Sequence, residues 1–164
     1  MNAPSYPSLN ITPLWSHVNN DLVDLLAALP EDKLEWSPEP RLWNAKGVLL
    51  HIIIGRYGMM AAVVQDGLPV PDILRDGQTG AGLQELLRSS WQRMQPFLAD
   101  PAQLDRAYGP YPGATRPLDG HALAFGQLEH DIHHRADIYR YHGLLGIAHE
   151  EPDTLARIAR EEKQ

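Results

Sequence analysis

Apolar residues recur at helical spacing in four long stretches of this chain, and no stretch alternates as a strand would. The first opens on Thr12-Pro13, a capping hydroxyl followed by proline at the first helical position. Trp15, Val18, Leu22, Leu25 and Leu29 follow at alternating spacings of three and four, and Pro30 ends the run. The second runs from an Asn44 N-cap to about Gln65 and carries Val48, Leu49, Ile52, Ile53, Met59, Met60 and Val63. It is apolar on almost every face, which predicts the most buried helix. Its His51 shares a face with Gly55 and Gly58. A glycine inside a helix costs about 1 kcal/mol relative to alanine, so the expected use of this pair is space, for a close helix or for a ligand beside His51. The third stretch, about 83–98, puts Leu83, Leu87, Ser90, Trp91, Met94 and Phe97 on one face, with Pro96 expected to distort its last turn. The fourth runs from about Leu118 to Leu145, with Gly146 as its stop.

The segments between these helices are long. Residues 30–43 hold three prolines, and Leu34, Trp36 and Trp43 are expected to tuck against the bundle. Residues 66–82 read as a mobile loop, and 99–117 are again rich in proline and glycine. Residues 1–11 read as a loose lead-in, and 154–162 as a short charged tail helix. The prediction is all-α: a four-helix bundle with long connectors and a short C-terminal helix, one domain over residues 1–164 with its core at about 12–146.

Composition narrows the function classes. A net charge of −7 and the lack of a Lys/Arg cluster argue against nucleic acid as partner. With no cysteine, the chain has no disulfide, thiolate ligand or thiol nucleophile of its own. No apolar run is expected to reach membrane-spanning length, and the start Met-Asn-Ala-Pro-Ser-Tyr-Pro lacks the pattern of a secretory signal. The expectation is a soluble cytoplasmic protein.

Histidine changes the picture more. Five of the eight histidines lie between His121 and His142. In a helix, His130 and His134 stand one turn apart on one face, roughly 5–6 Å between Cβ atoms, while His133 points about 100° away. The face reads Leu123, Gln127, His130, His134, Asp137, Tyr141. A stripe that is polar at its centre needs a reason, because buried polar groups cost free energy unless paired. A bound metal is one, and His51, alone on an apolar helix, is the natural third ligand. By itself His51 would read as a core histidine bonded to a carbonyl, and a bare His-x-x-x-His arises by chance on surface helices. Asp137 reads either as a partner that orients His134 or as a solvated carboxylate. Arg135 reads as half of an ion pair with a neighbouring helix, and His133 as a surface residue or an outer partner of the site. His142 is expected to line the far end of the same face, and His17, His121 and His149 to face solvent.

These residues resemble a family. Trp43-Asn44-Ala45-Lys46-Gly47-Val48-Leu49-Leu50-His51-Ile52 and His130-Asp131-Ile132-His133-His134-Arg135, with the connector Leu29–Pro38 before them and Gly143-Leu144-Leu145-Gly146 after, look like the DinB-like (YfiT-like) metal-binding four-helix bundles over about residues 12–146. The resemblance implies His51, His130 and His134 as a ligand triad, zinc or nickel as the ion, and a homodimer. It departs at Ala136 and Asp137, where the family often has Gly-Gln, a difference that bears on the outer partners of the site and not on the ligands. Relatives of this type include transferases using a low-molecular-weight thiol such as bacillithiol or mycothiol, maleylpyruvate isomerases and hydrolases. The leading expectation is a metal-dependent thiol transferase of stress or detoxification type acting on a small molecule, with residues 66–82 and 99–117 shaping its pocket. The alternatives are a hydrolase using metal-bound water and a non-enzymatic metal-binding bundle.

Overall fold

The four apolar seams fold into four long helices, seen in a computed structural model that describes residues 10–109, 113 and 115–149. Helix α1 spans Thr12–Ala28, α2 Ala45–Gly58, α4 Gly80–Ala99 and α6 Gly120–Leu145; short helices α3 (Ile73–Asp76) and α5 (Pro101–Asp105) sit in the connectors. Helices α1 and α2 each pack against both α4 and α6, so α2 lies beside α6 in the ring of the bundle. The seam residues Trp15, Val18, Leu22, Leu49, Ile52, Ile53, Leu83, Leu87 and Met94 are fully sequestered between them. The tail helix expected at 154–162 lies outside the described residues.

Local chemistry explains most boundaries. Asn44 caps α2 by accepting from the Gly47 N–H at 2.7 Å, and Asp119 does the same for Ala122 at the start of α6. Gly146 takes the left-handed conformation that stops α6 (φ 70°). At α1 the expected cap is corrected: the Thr12 N–H is satisfied by the Asn10 side chain at 3.1 Å. Helix α4 starts three residues early because Thr79 accepts from Gly82 at 3.1 Å, and it runs through Pro96 to Ala99, leaving only a loose closing bond of 3.4 Å from Asp100 to Phe97.

Other differences arise where long-range contacts decide. Helix α2 does not end at Gly58 but widens into a π-helical segment, Met59–Val64, closed by Gln65 in the left-handed region (φ 57°). By length and composition the 20-residue run Ala45–Val64, mean hydropathy 1.7, is apolar enough to cross a membrane, which corrects the expectation above; half of that window is buried inside the bundle, and Arg56 lies within it. The strands missing from the pattern are two residues each, β1 (Ala107–Tyr108) and β2 (Leu118–Asp119), paired antiparallel. Their alternation is too short to read in sequence. Residues 66–82, expected to be mobile, are tied to α4 by Arg93. Its guanidinium donates to Asp66 at 2.7 and 2.6 Å and to the carbonyls of Leu68 and Pro69 at 2.9 and 2.8 Å.

The turn into α4 leaves no room for a side chain at Gly82, where an added Cβ would stand 1.9 Å from the Asp76 carbonyl oxygen. Backbone must move to admit it. Gly82→Ala is therefore expected to cost about 1–3 kcal/mol, whereas Gly143→Ala, with nothing within 4 Å of its Cβ, should gain roughly 0.5–1 kcal/mol. Urea unfolding midpoints of the two variants check this contrast.

Two histidines sit differently from expectation. His17 is buried on α1 rather than exposed. His142 is fully buried near the end of α6 beside His149 (ring centroids 5.6 Å apart), away from the imidazole face, because eight residues from His134 carry it around the helix. Burial lowers its pKa, His149 adds to the effect, and the backbone of Leu25 opposes it. The unfolded chain then binds the proton more readily than the folded one. The contribution to stability is full above the ordinary imidazole value of 6.5 and is lost as pH falls below it. His142→Leu should flatten the slope of unfolding free energy between about pH 7 and pH 5, measured by urea titration.

Candidate metal centre

Helix α6 presents His130 and His134 one turn apart, and the adjacency of α2 brings His51 to them. The three ring centroids form a nearly equilateral triangle: 4.7 Å from His51 to His130, 4.8 Å from His51 to His134, and 4.7 Å from His130 to His134. The ligand nitrogens all lie within 4.8 Å of one another, a grouping that could hold one metal ion once the rings draw in toward the roughly 2 Å that zinc keeps to imidazole nitrogen. His51 Nε2 and His130 Nε2 are 2.8 Å apart, where either a proton or a cation must lie between them. All three rings are half-buried. Burial lowers the pKa of His51, helped by His130 and His134. Burial also lowers that of His134, against the pull of Asp137. Neutral imidazole is the form that binds a divalent ion.

The close approach depends on Gly55. A Cβ there would stand 3.2 Å from Gln127 Nε2 and 3.4 Å from His130 Cε1. The two uses expected of the glycines are thus divided: Gly55 admits the neighbouring helix, while Gly58 meets nothing within 4 Å.

The surrounding residues fall into place around the triad. His134 Nδ1 lies 3.2 Å from Asp137 Oδ2, the orienting contact anticipated for Asp137. Arg135 donates to Asp21 of α1 at 2.6 Å, a bond between helices and not part of the centre. His133 is exposed, with its ring 5.0 Å from that of His134; with His134 and Asp137 it forms an outer group of possible ligands. His121 is exposed and meets Asp105.

Four participants were not recognised in the sequence. Trp43, expected to tuck against the bundle, is 52% exposed and covers the cluster. Its indole is 4.7 Å from the ring of His51 and stacks on His134 at 6.0 Å, and its carbonyl accepts from Tyr141 at 2.7 Å. Gln127 donates to Asp131 at 3.0 Å and stands 3.2 Å from His130 Nδ1. Asp131 and Arg56 are both completely buried and paired at 2.8 Å. Burial pushes the Asp131 carboxyl up, but Arg56, then the neighbouring His130 and the hydrogen bonds from Trp15 and Gln127, outweigh this and hold it below the usual carboxylate range. A lone arginine within an apolar helix was the available signal, since a buried guanidinium requires a carboxylate.

A cavity of about 550 Å³ opens beside the triad between α2 and α6 and is walled by His51, His130 and largely apolar side chains. Residues 66–82 border a different cavity, with Tyr57 and Arg93, and of the described residues of 99–117 none lines this one. The first correction follows from α3 and the residues before it lying against α4, and the second from α5 packing against α4 and α6.

The sequence profile of the DinB superfamily matches residues 14–138. The chain is also 24% identical over 132 residues to an uncharacterized protein, YjoA, of Bacillus subtilis (strain 168), an alignment covering 79% of this chain and 83% of that one.

Proposed function

The chain belongs to the DinB superfamily, and from that premise we propose that His51, His130 and His134 hold one divalent ion, zinc or nickel, in a transferase that joins a low-molecular-weight thiol to a small electrophile. The observation that carries this reading is a cluster of three imidazoles, with no fourth His, Asp or Glu in it among the described residues, bordering a cavity of about 550 Å³. Three protein ligands and an open position are the pattern of a catalytic rather than a structural ion. The cavity is of the size that holds a small molecule. The chain contributes no thiol, so the sulfur comes from a cosubstrate.

When bound, the ion supplies a positive charge that favours the thiolate form of a coordinated thiol. The chain's own residues prepare the place. With His130 Nδ1 accepting from Gln127, Nε2 carries the proton toward His51. Ligation through Nε2 leaves the proton on Nδ1, and Asp131 Oδ1, 3.6 Å away, is the carboxylate that faces it. Asp137 holds His134 in the same way, fixing ring orientation and tautomer. Trp43 covers the cluster on its exposed side.

Loss of that orienting contact in Asp137→Ala is expected to weaken metal binding by about 10–100-fold, read by competition with a chromogenic chelator. The function itself is tested with the metal-loaded chain, a panel of low-molecular-weight thiols and a model electrophile. Conjugate formation that disappears on metal removal supports the transferase; turnover that proceeds without thiol sinks it. The second reading is a hydrolase, with water in the place of the thiol. Glu129, an exposed carboxylate on the wall of the cavity, is the observation in its favour, and a strict thiol requirement excludes it. Residence in the cytoplasm and a homodimer belong to the same proposal.

A further inference from the structure

Gly58 and Gly126 border the cavity from α2 and α6, and an added Cβ at either would meet nothing within 4 Å. Glycine within a helix costs stability relative to alanine, and here it relieves no clash. What both positions leave is open space over the cavity. The walls they open onto are Ile54, Met59, Ala62, Val63, Leu118 and Leu123. Among the described lining residues there is no lysine or arginine; besides the imidazoles, the polar groups are Gln127 and the exposed Glu129. An anionic group placed against these walls would lose its hydration with no cation to replace it, and would face a carboxylate. The chain's net charge of −7 adds to that field.

We propose that this cavity takes the uncharged, apolar body of a substrate, one anionic donor atom at most reaching the imidazoles, and that it discriminates against compounds bearing further anionic groups. The donor-atom clause rests on the metal-centre reading above; the wall chemistry stands without it. For the transferase this selects a thiol or electrophile with a neutral apolar body over one that carries carboxylates.

Two fluorescent probes test it on the full chain stripped of metal, so that no ion can take the sulfonate: uncharged N-phenyl-1-naphthylamine, and 1-anilinonaphthalene-8-sulfonate, which has the same rings with one sulfonate added. The neutral probe is expected to bind at least about tenfold more tightly. Gly58→Leu and Gly126→Leu, which fill the space from different helices, should each weaken it by about tenfold. Because they lie on separate helices, one variant that failed to fold leaves the other as the test. Glu129→Gln should raise the affinity for the sulfonate probe and leave the neutral one unchanged. Equal or tighter binding of the sulfonate, or neutral binding indifferent to both leucines, overturns the proposal. Elemental analysis of the same samples before stripping separates the two readings. A chain purified without metal that prefers the neutral probe loses the metal centre and keeps the cavity, whereas a chain purified with stoichiometric metal that prefers the sulfonate once stripped does the reverse.

Discussion

Arg56→Met is expected to lower the unfolding free energy by about 3–5 kcal/mol, and Asp131→Leu by a similar amount. Both side chains are entirely buried, with Arg56 Nε 2.8 Å from Asp131 Oδ2. The pair is embedded further: Arg56 Nη1 donates to Asn19 at 2.8 Å, and Asp131 Oδ2 also accepts from Trp15 at 2.7 Å. Removing either partner leaves an uncompensated charge in the core, and that penalty exceeds the net worth of the pair. The double variant should therefore cost less than the sum of the singles, by about 0.5–3 kcal/mol. Urea denaturation of all four proteins measures the coupling, and additive costs would show that the two charges do not support one another. The consequence reaches the metal centre, because Asp131 follows His130 on α6 and faces its Nδ1. Both single variants should bind metal more weakly without having lost a ligand.

The second large effect is at the ligands themselves. Wild-type chain purified without a histidine tag is expected to carry close to one ion, while His130→Ala or His51→Ala should retain less than about a tenth of that by elemental analysis, since two imidazoles are one short of a catalytic ligand set. Thermal stability gives an independent readout. An ion at 100 times its dissociation constant should stabilise the wild type by about 2.7 kcal/mol through mass action, and the alanine variants should not respond. Full metal content in both variants would remove the triad from consideration.

The helices and their inner faces were legible because helical period is a local property: each seam residue of α1 and α4 named from spacing is buried. The His130–His134 pair was legible for the same reason, as one turn separates them whatever surrounds the helix. Gln127 stood on the same stripe, but its role was not, since an amide acquires one only from what it touches. Trp43 was misplaced because apolar character predicts burial on average, whereas this indole, half exposed, lies over two imidazoles. The two short strands were invisible because two residues define no period.

By itself the sequence determined that there are four long helices, where they stop, and that His130 and His134 share one face of the last, all consequences of backbone geometry and capping within a few residues. Only the tertiary structure decided that α2 lies beside α6, so that His51 meets His130 across 79 residues of chain, that Arg56 meets Asp131 across 75, and that a cavity rather than a packed seam lies between those helices. The physical reason is that helical period sets a direction around one cylinder and says nothing about which cylinder it faces. With connectors long enough to permit several arrangements, that choice falls to close packing at Gly55 and to the pairing of buried charge.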